Sequence, residues 1–198
     1  MILVGITGVV GSGKSTVSGL LKKKGFYVID LDQLAREVTG QEETIRDVAA
    51  AFGMEYAKEG GVDRDGLKEI VFRNKSMLKR LEEIVHPRVL ETLFGTAKRL
   101  QDAGVKEVIV DGPILYETGL SKRMNKIVVV STDVEKLKER LKVRGMEAGD
   151  IERRLSFQIP LKEKEKMADY VVFNNGTVED LNKEVAILAK KIKEWEEE

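Results

Sequence analysis

The chain has 198 residues, enough for one domain with inserted subdomains and a substantial core. Lys and Arg total 34, as do Asp and Glu, so the formal charge is zero; a general nucleic-acid binder, which carries a basic excess, is disfavoured. No apolar run approaches a membrane span, Met1 leads directly into ILVGIT without a charged leader, and the absence of cysteine excludes disulfides and thiolate metal sites. The expectation is a soluble cytoplasmic protein. Charged residues at 34%, with five Asn and four Gln, fit either a heat-adapted source or simple lineage composition.

Ile2 to Ile6 is a short apolar run that reads as a buried parallel strand. It leads into GVVGSGKST at 8–16, with Gly8, Gly13, Lys14 and Ser15 at the spacing G-x-x-x-x-G-K-[ST]. Small residues let the backbone N–H groups of such a loop converge on phosphate oxygens, and the following helix offers its positive N-terminus. Gly11, Ser12, Gly13, Lys14, Ser15 and Thr16 are therefore nucleotide-binding candidates, with Lys14 for the β- and γ-phosphates and Ser15 for Mg²⁺. The alternative, a chance glycine-rich turn, is opposed by the strand–loop–helix context. A helix from near Gly13 to Lys24 is stopped by Gly25.

FYVID (26–30), VKEVIVD (105–111), KIVVV (126–130) and DYVVF (169–173) read as further strands separated by helical patterns. The predicted class is α/β: a three-layer fold with a five-stranded, mostly parallel sheet and helices on both faces. The interval from about 34 to 104 has no strand pattern. It reads as helices broken near Gly40, Gly60-Gly61 and His86-Pro87, and is too long for an ordinary crossover. An inserted helical unit over the C-terminal edge of the sheet is expected, where ligands of open α/β folds bind. KEKEK (162–166) reads as a solvated helix face. The final helix starts at a Thr177 cap and presents Val178, Leu181, Val185, Leu188, Ile192 and Trp195 on one side, with EWEEE as a solvated tail.

Carboxylates close the strands. Asp30 and Asp32 end the second, and Asp111 ends the third. If both strands neighbour the loop strand, their ends face the γ-phosphate. One acid then holds Mg²⁺ through water, which suits Asp111 at the end of a β-branched run. Another orients an attacking hydroxyl, which suits Asp32, lying beyond its strand. Helix capping is equally open for Asp32 and is the preferred reading of Asp30. STDVEKLKERLKVRG reads as a helix capped at Thr132 or Asp133, with Arg140 and Arg144 on one face, where planar guanidinium groups suit phosphate oxygens. For Arg153 or Arg154 alone, surface pairing with nearby Glu is the simpler reading. His86, the single histidine, reads as a residue at a helix kink bonded to backbone.

In order and spacing these stretches resemble the dephospho-CoA kinase family from Ile6 to about Leu181. ITGVVGSGKSTV resembles its opening, and GFYVIDLDQLAREV its second-strand segment, which puts Asp32 at the position of the catalytic base. GVDRDGLKEIVFRN with LEEIVHPRV resembles the CoA-binding helical part, and DGPILYE the motif D-x-P-L-L-[FY]-E. RLKVRG and RRLSFQIPLKEKEKMADYVVFNNG resemble the arm, the lid (about 145–167) and the last strand. The resemblance implies ATP with Mg²⁺ as donor and cofactor, and dephospho-CoA as small-molecule acceptor. It puts Arg64, His86, Tyr116, Glu117 and Arg154 on the acceptor side and Arg140, Arg144 and Arg154 at phosphates, with Asn174 and Gly176 bordering adenine. Val9 stands where the family usually has Gly, and Ile114 where it usually has Leu. A P-loop kinase for another small hydroxyl acceptor is the nearby alternative. A GTP-dependent switch would need D-x-x-G where the chain has Asp111-Gly112-Pro113-Ile114, and N-K-x-D where it has Asn74-Lys75-Ser76-Met77.

Overall fold

In the computed structural model, residues 1–71 and 74–198 are described; Phe72 and Arg73, at the end of GVDRDGLKEIVFRN, lie outside the described residues. In chain order the elements are β1 (Ile2–Thr7), α1 (Lys14–Lys23), β2 (Tyr27–Asp30), α2 (Leu31–Thr39), α3 (Glu42–Phe52), β3 (Ala57–Lys58), β4 (Gly61–Val62), α4 (Arg64–Val71), α5 (Lys75–Asp102), β5 (Glu107–Asp111), β6 (Lys126–Ser131), α6 (Val134–Val143), α7 (Ala148–Ser156), α8 (Leu161–Lys166), β7 (Tyr170–Phe173) and α9 (Val178–Glu197). The chain divides into two compact units, 1–30 with 103–198, and 31–102.

The first unit is built on a five-stranded sheet ordered β2-β5-β1-β6-β7, in which every pairing is parallel. β1 is central and apolar on both faces, as a strand covered on both sides must be. Its even residues Ile2, Val4 and Ile6 pack into a core with Val17 and Leu21 of α1 and with Leu181, Val185, Leu188, Ile192 and Trp195 of α9. Burying each large side chain of this kind contributes about 1.5–3 kcal/mol. Thr177 caps α9 as expected: its hydroxyl accepts from Asp180 N at 3.2 Å, and Asp180 Oδ2 accepts from Thr177 N at 3.0 Å. The EWEEE segment is not a free tail. α9 continues to Glu197, Trp195 is buried, and Lys126 Nζ lies 5.6 Å from its ring centroid.

Of the second and third strands, only the third neighbours the loop strand. β5 pairs with β1, whereas β2 pairs with β5 at the sheet edge. The register still aligns Ile6, Asp111 and Asp30 across the three strands.

The second unit is mainly helical, with α2, α3 and α4 packed on α5. Two departures appear. Residues 57–62 form a short antiparallel hairpin, closed at Gly60 with φ 78°, which is too brief to leave a strand pattern in the sequence. The break expected at His86-Pro87 is absent, because α5 runs through both residues. Proline removes one helical donor, leaving the Glu83 carbonyl without its backbone partner. Packing along the helix offsets that loss, and Arg88 Nη1 donates to Ile84 O at 2.7 Å in the same turn. Among the described residues no helix is long and apolar enough to cross a membrane.

Candidate active site

The phosphate-type loop sits between β1 and α1, as its spacing predicts. Gly13 precedes α1 with φ 95°, a conformation only glycine adopts without strain. A Cβ there would also meet Asn174 Nδ2 at 2.0 Å. At Gly8 a Cβ would meet Val130 O at 2.7 Å and Ser12 Oγ at 2.6 Å. Val9 anchors the loop. It is 5% exposed and packs with Leu137 and Leu141 of α6 and Ile151 of α7. Ser12 is fully buried, while Ser15 and Thr16 open to solvent at the start of α1.

Lys14, the first residue of α1, forms an ion pair with Asp111 at the end of β5. Asp111 is 3% exposed, so the pair lies in a low-dielectric setting where its attraction is little screened. Asp30 closes β2 immediately before α2, and Asp32 falls in the first turn of that helix.

β7 and α6 complete the wall beside the loop. Asn174, just past β7, donates from Nδ2 to Ser12 O at 2.8 Å. Its own carbonyl accepts from Arg140 Nη2 at 2.9 Å and from Thr132 Oγ1 at 3.0 Å. Arg140 Nη1 also reaches Thr132 Oγ1 at 3.3 Å. Arg140 therefore braces the loop through Asn174, while Arg144, at the C-cap of α6, is exposed. Gly11, Gly13, Arg140, Arg144, Asn174 and Gly176 line one cleft of about 180 Å³, which Thr16 also borders. Asp133 occupies the N-cap position of α6, but its carboxylate accepts from Asn175 Nδ2 at 3.0 Å and makes no cap bond.

Glu117 belongs to a second cluster in the same unit. Glu117 Oε1 pairs with Lys164 Nζ at 2.8 Å and accepts from Ile159 N at 2.9 Å. KEKEK is thus not a wholly solvated face: Lys164, in α8, is fully buried and also donates to Pro113 O at 2.8 Å. Burial pushes the Lys164 ammonium below the usual lysine range, the hydrogen bond and charge of Glu117 oppose this, and the Lys14 charge adds to it. Burial, with the Asp169 charge, raises the Tyr116 phenol to about 12, and its hydroxyl meets no partner among the described residues. Arg154 is exposed on α7, and Arg153 pairs with Asp150 at 2.6 Å. In the helical unit, Arg64 opens α4 and is exposed, and His86 is half-buried in α5.

The geometry therefore joins the loop, Asp111, Arg140, Arg144, Asn174 and Gly176. It assigns Glu117 to the Lys164 cluster and leaves Asp32, Arg64 and His86 in the second unit. Lys164 and Gln158 are not singled out by the sequence, and Thr132 only as a candidate helix cap. Polar residues carry no periodic signal of burial, and only an isolated Lys opposite an acid from a distant segment could have hinted at it.

The family model described as dephospho-CoA kinase matches residues 2–180. A dephospho-CoA kinase of Corynebacterium glutamicum is 40% identical over 195 residues, covering 97% of this chain and 98% of that protein. One of Geobacillus kaustophilus is 36% identical over 198 residues, covering 98% and 97%. A crystal structure from Thermus thermophilus superposes with a TM-score of 0.83 at 35% identity, covering 96% of this chain and 97% of that one. Shikimate kinase from Bacteroides thetaiotaomicron, at 15% identity and a TM-score of 0.51 over 97% of this chain and 98% of its own, shares the P-loop kinase fold alone. The chain belongs to the dephospho-CoA kinase family and is a kinase.

Proposed function

We propose that the chain transfers the γ-phosphoryl group of ATP to the ribose 3′-hydroxyl of dephospho-CoA, giving CoA and ADP. The observation that carries the donor half is the Lys14–Asp111 pair set beside a loop of the right spacing and conformation. The acceptor comes from what the similar proteins are called.

In this reading the loop N–H groups and Lys14 hold the phosphates, and Arg140, Arg144 and Arg154 screen charge on the transferring group. Asn174 and Gly176 border the adenine. The residues fit Mg²⁺: Ser15 and Asp111, the latter through water, offer hard oxygen donors, as that ion requires. Among the described residues no group of three or more His, Asp or Glu could hold a metal, so most ligands must come from phosphate and water. Bound Mg²⁺ would neutralise charge on the phosphate oxygens. Asp32 accepts the hydroxyl proton; transfer through a loose transition state asks for little early deprotonation. The helical insertion, about 34–104, takes the acceptor with Arg64 and His86, with Tyr116, Glu117 and Arg154 also on that side. Residues of about 145–167 act as a lid that excludes water.

The test is product formation from ATP, Mg²⁺ and dephospho-CoA, beside a panel of nucleosides, nucleotides and sugar acids. CoA and ADP are expected. No CoA above the blank, or preference for another acceptor, would overturn the assignment. Asp32→Asn should lower turnover by about 10²–10⁴-fold and leave ATP affinity unchanged. Full turnover in that variant removes Asp32 from the role.

A further inference from the structure

Among the described residues Lys164 is the largest side chain to be fully buried, and it is charged. Buried charges are costly unless paired and hydrogen-bonded, and an apolar pair of similar volume often serves stability as well or better. Its surroundings point to what it does. The Pro113 carbonyl, two residues past Asp111, collects donors from three parts of the unit. Lys164 Nζ reaches it at 2.8 Å, Thr7 Oγ1 from the end of β1 at 3.1 Å, and Gln158 Nε2 at a long 3.5 Å. The second Lys164 partner, Glu117, accepts from Ile159 N at 2.9 Å and so fixes the turn between α7 and α8. From that turn Gln158 Oε1 accepts from Val10 N at 3.0 Å, inside the phosphate loop.

We propose that Lys164 is a positioning residue for nucleotide binding. Its ammonium, held between Pro113 O and Glu117, fixes the turn that carries Gln158, and Gln158 fixes the loop backbone at Val10. The lid segment and the phosphate loop are thereby one connected hydrogen-bond network, and a loop whose N–H groups are held in place loses less entropy on taking a phosphate. The inference rests on the nucleotide half of the proposed function and is independent of the acceptor.

The experiment is calorimetric titration of ATP with Mg²⁺ into the parent and three variants: Gln158→Leu, the charge-neutral Lys164→Met/Glu117→Gln, and their combination. Thermal unfolding is recorded for each. Gln158→Leu and the double variant should each fold and each weaken ATP by about tenfold, and the combination should weaken it no further, because both act on one path. A purely structural role for Lys164 predicts parental ATP affinity in the folded double variant, or losses that multiply in the combination. Either result, or failure of the charge-neutral double variant to fold cooperatively, overturns the proposal. Failure of the parent to make CoA while binding ATP would refute the acceptor assignment alone.

Discussion

The side-chain amide of Asn174 donates to the Ser12 carbonyl at 2.8 Å, joining residues 162 positions apart in the chain. The contact closes one side of the loop and explains why position 13 must lack a side chain. Gly13→Ala should be lost twice over, to a φ of 95° and to a clash with Asn174 Nδ2. Thermal unfolding should show a destabilisation of about 1–3 kcal/mol, and calorimetry a loss of ATP affinity. Parental values in both would show that the loop tolerates a Cβ.

Arg140 and Arg144 share a helix face but differ in what they hold. Arg140→Met strips two donors from the Thr132–Asn174 network and should lower both stability, by about 1–3 kcal/mol, and nucleotide affinity. Arg144→Met removes an exposed guanidinium and should weaken turnover with melting unchanged. Equal melting temperatures for the two variants would sink the distinction.

The capping box of α9 predicts an acid-sensitive helix start. Hydrogen bonds from the Thr177 hydroxyl and then the Thr177 backbone, with Lys183 nearby, hold Asp180 below its ordinary 3.8. A depressed carboxylate contributes stability above its unfolded pKa and loses it as pH falls through the folded value. The contribution is present at neutral pH and disappears below about 4. Asp180→Asn should flatten that part of the acid-unfolding curve, and an unchanged curve would count against it.

Tyr116 gives the opposite limb. With the phenol raised to about 12, the folded state favours the neutral form, so its contribution is complete below about 10 and is lost as pH rises through 12. Tyr116→Phe should lessen alkaline destabilisation between those values. At neutral pH it should melt no lower than the parent, since the hydroxyl it removes is buried without a partner among the described residues. A large drop in melting temperature would mean the hydroxyl is satisfied.

What could be read before folding was whatever is encoded locally. The apolar run at 2–6, the GVVGSGKST spacing and the three-four rhythm of α9 each depend on residues within a few turns, so the strands, the loop and the last helix lie where expected. Pro87 was misread because the local rule for proline in a helix was offset by packing of α5 against its neighbours. The place of β2 at the sheet edge beside β5 could not be read, because strand order is a property of long connections and leaves no local trace.

The strand–loop–helix with its phosphate-loop spacing, and the family to which the motifs belong, are legible in the residues alone. Which polar residues are structural emerges with the folded chain. It paired Lys14 with Asp111, set Arg140 behind Asn174, buried Val9 under α6 and α7, and took Lys164 out of an apparently solvated run to meet Pro113 and Glu117. Hydrophobic periodicity reports burial because apolar burial is non-directional and repeats along an element. A buried charge is fixed by partners from distant segments, and those partners meet only when the chain has folded.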